Sequence, residues 1–401
     1  MIQRIFPIVF ILFIFCDPIY LTTCNFSGVS PFGSIYRIYV GTVGIISMVT
    51  SYFALRNKCV NLLPLFLSLI GFAILFFATT IFYIRINPFY YSHMLRWGAS
   101  CIPALFLGLS FVYFEDKKSI IKYLPILLMI ITPFVAFASL RGAKLHGQYV
   151  DAESGLNYQV ISYYMAYFFS LSAYYIFISK DRISSKLLSL VLYVILLSEA
   201  IVCSVSGGRG GFVLLIINII FFVYIIYKRG NINKGLFTTI LIVSCLLFVA
   251  IATYFDLWSY KGFYRVTHPL AQNAARKDDW QEVLTYFYQS PIIGNGLGSD
   301  FMTWGFYSHN IFVDFLAETG VLGFVLFTTL LFWIVRTILK QCFIDEYYIF
   351  IMCIGFYGLV MVLFSGYWIS MYQIWMLMGV AYGLRLWNKQ RVDSFIAEYN
   401  Y

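Results

Sequence analysis

Three stretches of the 401-residue sequence carry residue types and spacings from which chemistry can be built. The first is Val205-Ser206-Gly207-Gly208-Arg209-Gly210-Gly211. Four glycines around one arginine permit a tight hairpin with exposed backbone N–H groups, and the helix that follows points its positive end at the same place. Arg209 adds a bidentate phosphate donor. The stretch is an anion site on that reading. On the other, the glycines serve close helix packing and Arg209 reaches toward lipid headgroups.

The second stretch covers residues 276–300. Trp280, Val283, Leu284 and Phe287 fall at i, i+3, i+4 and i+7, which predicts an amphipathic helix on the membrane surface. Arg276 stands on the same face one turn earlier, as a ligand for a lipid phosphate or as a plain interfacial anchor. Pro291 and Gly294-Asn295-Gly296 then end the helix and turn the chain. The third stretch runs from Ser308-His309-Asn310 to Glu318-Thr319-Gly320. Asn310, Asp314 and Glu318 recur every four residues and share one helix face. His309 stands where that helix begins. A histidine beside acids is the residue type that takes a proton from a hydroxyl near neutral pH, although a loop histidine is often a plain surface group.

These residues must be held by a chain that is 61% hydrophobic and 11% charged, with mean hydropathy +0.82. A soluble domain carries about 25% charged residues. The composition therefore excludes a soluble enzyme, a nucleic-acid-binding protein and a secreted disulfide scaffold. It predicts an all-α polytopic membrane protein, a single integral domain over residues 1–401. Eight cysteines are scattered singly, without metal or redox spacing, and read as small packing residues.

Apolar runs predict twelve transmembrane helices near 5–21, 35–55, 62–83, 97–113, 123–140, 158–178, 187–205, 211–227, 236–255, 319–335, 347–364 and 369–386. With a cytoplasmic N-terminus, 17 of the 27 Lys+Arg fall in short inside segments, among them Arg56, Lys117, Lys118, Lys180, Arg229 and Lys389. The positive-inside rule then puts both termini in the cytoplasm. The net charge of +9 is a topology signal and points to no nucleic-acid partner.

All four histidines fall outside on this topology, with two long outer loops at 141–157 and 256–318. The larger, between helices nine and ten, is expected to be partly helical. The smaller opens with Arg141 and Lys144, cations on the side where the rule disfavours them, and so implies an anionic ligand. Asp151 and Glu153 in the same loop offer simple neutralisation instead. Glu199, deep in the seventh span, is either functional, paired with a cation such as Arg37, or protonated. Asp17 in the first span is a weaker signal. No outer Asp-x-Asp, Walker loop or zinc cluster occurs, so transfer chemistry is expected to need no metal and no cofactor, with arginines on the phosphate oxygens.

Ser-Gly-Gly-Arg-Gly-Gly closing a hairpin, then Pro-x-x-Gly-x-Gly, then Ser-His-Asn-x-Phe-x-x-x-Leu-x-Glu-x-Gly entering a helix resembles the O-antigen ligase/polymerase superfamily over residues 200–330. The resemblance implies a bacterial inner-membrane glycosyltransferase acting on undecaprenyl-diphosphate-linked sugars at the periplasmic face. Beside that oligosaccharide and the bilayer, a chain-length regulator and a flippase are candidate partners. Gly147-Gln148-Tyr149, Gly155-Leu156-Asn157-Tyr158-Gln159 and Ser162-Tyr163-Tyr164 are similar to polymerase sequences, as is the richness in Phe, Ile, Tyr and Asn. One polymerase pattern, Arg-x10-Gly, fails here, because Ala152 stands at that spacing from Arg141. The expectation is a repeat-unit polymerase with His309, Arg209, Glu318 and Asp314 as catalytic residues. Arg209, Arg276, Arg265, Arg141, Lys144 and Asn310 are then the substrate ligands. A ligase delivering polymer to lipid A-core, and a lipid-linked oligosaccharide flippase, are the alternatives.

Overall fold

The computed structural model describes residues 2–27, 34–56, 58, 60–81, 93–142, 157–181, 185–206, 208–229, 253, 273–304 and 307–399, and among them no strand occurs. The helices are α1 (Ile2–Ile14), α2 (Cys16–Ser27), α3 (Ser34–Leu55), α4 (Leu63–Ile81), α5 (Ile102–Tyr113), α6 (Lys117–Gly142) and α7 (Tyr158–Ala173). They continue with α8 (Lys186–Ser206), α9 (Arg209–Arg229), α10 (Asn273–Gln289), α11 (Ser299–Trp304), α12 (Ile311–Cys342), α13 (Tyr347–Phe364) and α14 (Tyr372–Tyr399). Among the described residues eight are long and apolar enough to cross a membrane, nine if the bent α1–α2 pair is one span. The all-α polytopic architecture is as expected. The expected span at 236–255 lies outside the described residues.

Two expected spans differ in form. The first is no straight rod: α1 and α2 meet at 59°. Pro18 has no N–H to give to the Ile14 carbonyl, so a helical hydrogen bond is missing at the bend. The freed carbonyl accepts the Tyr372 and Tyr167 hydroxyls instead, at 3.3 and 3.5 Å. The last span starts as a 3₁₀ turn at Trp368–Ser370 and only then becomes α14.

The interior is built by α5, α7, α13 and the first half of α14, whose side chains are mostly buried, and by the inward face of α1. α14 lies along α5 at backbone contact. A methyl group on Gly108 would overlap the Met376 carbonyl, and one on Gly379 the Leu105 carbonyl. Small residues at a crossing are how membrane helices gain close packing. The peripheral helices turn bare apolar residues outward, such as Leu190 and Leu197 on α8, Ile220 on α9 and Leu326 and Phe332 on α12. Those surfaces suit lipid contact.

The two ends of the bundle differ. One collects ion pairs between short loops: Lys58–Glu115 at 2.7 Å, Lys118–Asp181 at 3.4 Å, and Lys180 and Arg229 on Glu346 at 3.8 and 3.9 Å. The hydrogen bond from Lys58 holds the exposed Glu115 carboxyl below its ordinary range. The other end carries the start of α12, the α8–α9 hairpin and the α13–α14 connection.

Candidate functional site

Two of the sequence motifs lock onto each other. Gly320 breaks α12 with φ +64, a left-handed conformation open to glycine. The break frees two carbonyls before it and two amides after it. The 291–296 loop satisfies all four: Asn295 and Gly296 donate to the Ala317 and Glu318 carbonyls at 3.1 and 2.8 Å. Val321 and Leu322 donate back to the Pro291 and Ile292 carbonyls at 2.9 and 3.2 Å. The Asn295 side chain adds bonds to the Tyr286 and Ala317 carbonyls. A Cβ on Gly294 would overlap the Glu318 carbonyl, and one on Gly320 the Ile292 carbonyl, so both glycines are required by contact as well as by φ.

This lock fixes the helix that carries the acids. Asn310 caps α12 by accepting from Phe312 N at 3.0 Å. Asp314 and Glu318, four residues apart, are both buried. Asp314 accepts from Ser308 N at 2.9 Å, and Glu318 accepts from Tyr367 Oη at 2.6 Å and Trp368 Nε1 at 3.3 Å. Asp300, on the first turn of α11, is buried within hydrogen-bonding reach of both carboxyls. The three acids form one buried cluster. Burial first, and Glu318 next, push the Tyr367 phenol well above its ordinary range, which keeps it a donor.

His309 stands at the mouth of this cluster with φ +59, the one non-glycine with positive φ among the described residues. That region is strained for a side-chain-bearing residue, and such strain concentrates at functional sites. Its Nδ1 lies 3.3 Å from the Ser365 carbonyl, its ring 4.3 Å from that of Tyr307. Tyr307 donates to the same carbonyl at 2.8 Å, and its ring is 5.4 Å from that of Tyr367. His93 completes the aromatic group, 5.1 Å from the Tyr367 ring, with Nδ1 2.8 Å from Ser370 Oγ.

The glycine-arginine hairpin reaches the same place. Arg209 is the first residue of α9, half-buried. A Cβ on Gly208 or Gly211 would overlap Ser162, and one on Gly210 the Tyr163 hydroxyl. These glycines therefore serve close packing on α7. That same Tyr163 hydroxyl lies 3.0 Å from Ser365 Oγ, the residue whose carbonyl holds His309 and Tyr307. Arg209 and His309 thus share one end of the bundle, joined through Tyr163 and Ser365.

Residues 192–328 match the family model for O-antigen ligase. The match supports the O-antigen ligase/polymerase superfamily, which the motifs resemble, and a glycosyltransferase-type enzyme in a multi-pass membrane protein. No curated protein matches the chain.

Within the matched segment lie Arg209, Asp300, the 291–296 loop, His309, Asp314 and Glu318. Their partners Tyr163, Ser365, Tyr367 and Trp368 lie outside it. The structure gives several of the predicted residues definite surroundings. Asp314 accepts from Ser308, Glu318 accepts from Tyr367 and Trp368, and the His309 Nδ1 lies against the Ser365 carbonyl. Asn310 spends its side-chain oxygen on the cap. The α10 stripe packs in part against α12, with Val283 buried and Trp280 Nε1 donating to the Ser308 carbonyl at 2.9 Å. Glu199 pairs with Thr132 and Ser172, at 2.8 and 3.2 Å, and Arg37 is exposed. Lys144 and Arg265 lie outside the described residues, as do the side chains of Arg141 and Arg276. Asp300, Tyr307, Ser365 and Tyr367 were not singled out from sequence. The Ser365-Gly366-Tyr367-Trp368 interruption between two apolar runs is the signal that could have found the last two.

Proposed function

We propose that the protein is an O-antigen-type repeat-unit polymerase. It joins undecaprenyl-diphosphate-linked oligosaccharides by an inverting glycosyl transfer at the periplasmic face of the bacterial inner membrane. The observation that carries this reading is His309, strained and caged by Tyr307 and Ser365 at the edge of a buried carboxyl cluster, on the same bundle end as Arg209. An acceptor sugar hydroxyl attacks the anomeric carbon of the donor. The C–O bond to the diphosphate breaks as the new glycosidic bond forms, and the hydroxyl proton passes to His309. Arg209, with Arg276, Arg141, Lys144 or Arg265, stabilises the negative charge gathering on the departing diphosphate. Asp314 and Glu318 act behind His309 through the aromatic group, as a buried acidic cluster beside the group that takes the proton.

The test is a polysaccharide gel from a strain lacking the gene. Core bearing a single repeat unit, with no ladder, supports the polymerase. A second reading is the ligase, favoured by the family description of the matched segment. It predicts bare core with polymer stranded on the lipid carrier. An unchanged ladder would sink both.

A further inference from the structure

A second polar group sits one helical turn below the candidate site, on the segment that carries His93. Arg96 Nη2 donates to Asp17 Oδ2 at 2.8 Å, and Tyr36 Oη to Asp17 Oδ1 at 3.3 Å. The Arg96 guanidinium stands 5.7 Å from the centre of the Tyr36 ring. Both flanking backbones are irregular. Asp17 follows directly on the 59° break between α1 and α2, and Arg96 precedes a π-helical turn, Trp97–Cys101. Irregular helix at membrane depth is tolerated where it is buried in protein or lines a cavity, and π turns are frequent at functional sites. The pair is also within reach: 32% of the Arg96 side chain and 14% of that of Asp17 are exposed, while neighbouring Trp97, Ser100 and Cys101 are buried. Arg96 Nε has no hydrogen-bond partner among the described residues.

We propose that Arg96 and Asp17 form a carbohydrate subsite that holds the sugar of the acceptor substrate. The inference rests on the glycosyl-transfer reading above. The chemistry selects the ligand. A guanidinium alone would take a phosphate, but a carboxylate 2.8 Å away repels an anion and supplies an acceptor. Donor and acceptor side by side match neighbouring hydroxyls on a neutral sugar. His93 ties the subsite to the reacting centre, since its ring lies against Tyr367 and Tyr307 one turn before Arg96. The acceptor would then run from Arg96 and Asp17 past His93 toward His309.

The test uses the full-length protein in lipid nanodiscs. Its probe is the repeat-unit oligosaccharide cut from the host's own polysaccharide by mild acid. Arg96→Lys and Asp17→Asn should each raise the acceptor KM at least tenfold and leave the donor KM unmoved. The charge swap Arg96→Asp with Asp17→Arg restores an ion pair, so recovery of the wild-type acceptor KM in the swap would show a structural pair and overturn the proposal. A second measurement needs no variant: a diazirine-bearing oligosaccharide should label the wild-type chain within residues 13–40 or 93–101. Label confined to residues 300–320 would also overturn it. A wild-type protein that transfers normally, with an unmoved acceptor KM in Arg96→Lys, defeats this inference alone. A wild-type protein that neither transfers nor takes label defeats the glycosyl-transfer reading itself.

Discussion

Glu318 and Glu199 are both fully enclosed carboxyls on long apolar helices, yet their surroundings have little in common. Glu318 accepts from a tyrosine and a tryptophan of the α13–α14 connection, meets a second acid in Asp300, and belongs to the group that ends at His309. Glu199 accepts two small hydroxyls, Thr132 and Ser172, from the flanking helices α6 and α7, and those are its hydrogen bonds among the described residues. An acid inside a membrane protein is a functional candidate by default. Depth does not separate these two. What separates them is that one is wired to a strained histidine at a bundle end and the other is closed within three helices.

The largest effects should come from breaking the Glu318 side of that comparison. His309→Ala should cut polymer formation about 10²–10⁴-fold, the range a positioned acid–base group contributes, with protein level unchanged. Repeat-unit ladders from a complemented deletion strain, read beside an immunoblot, give the answer. A normal ladder would remove His309 from the chemistry. Glu318→Ala should be as damaging to activity and should also unsettle the fold. It leaves the Tyr367 O–H and Trp368 N–H buried without an acceptor, at about 1–3 kcal/mol each. Glu318→Gln keeps an acceptor for one of them and should fold better than Glu318→Ala while remaining poorly active. If the two variants lose activity only in proportion to protein lost, the carboxyl is structural and the contrast with Glu199 disappears.

Gly320→Ala comes next. It places a methyl group against the Ile292 carbonyl at a left-handed φ, which costs about 1–3 kcal/mol from the backbone alone. The lock between the 291–296 loop and α12 should loosen, lowering both thermal stability and activity. Gly71→Ala, with open space around its Cβ, is the control and should change neither. Equal stability of the two variants would mean that the lock does not hold the acids in place.

The sequence spelled out some of this and hid the rest for physical reasons. Spans such as 35–55, 158–178 and 347–364 were legible because an apolar run of membrane length has one outcome, a helix. Asp314 and Glu318 on one face followed from the four-residue spacing, and His309 at the start of the helix followed from the cap. The use of the glycines was harder to see. Gly294 and Gly320 stand 26 positions apart, and nothing local says that each exists for the other's backbone. Tyr163, Ser365 and Tyr367 come from two further segments, and the tyrosines look like any others in a chain with 33 of them. The break at Pro18 was in principle readable, because a proline inside an apolar run orphans the carbonyl four residues before it. The tyrosine hydroxyls that fill that gap, from α7 and α14, were not.

Glu199→Gln is the smallest change and the sharpest test of the contrast. The variant keeps one side-chain oxygen, so Thr132 and Ser172 retain their acceptor. The new NH₂ replaces Oε2, an atom that is buried and without a partner among the described residues. The expected cost is therefore about 1–3 kcal/mol for a buried donor left unsatisfied, with polymer yield per folded molecule within about threefold of wild type. Thermal melting of the purified protein, beside ladder intensity normalised to protein level, separates the two quantities. A ladder lost at normal protein level would place Glu199 in the same class as Glu318. The three-helix enclosure around Glu199 would then be a working compartment, and surroundings would have failed as a guide to which buried acid does chemistry.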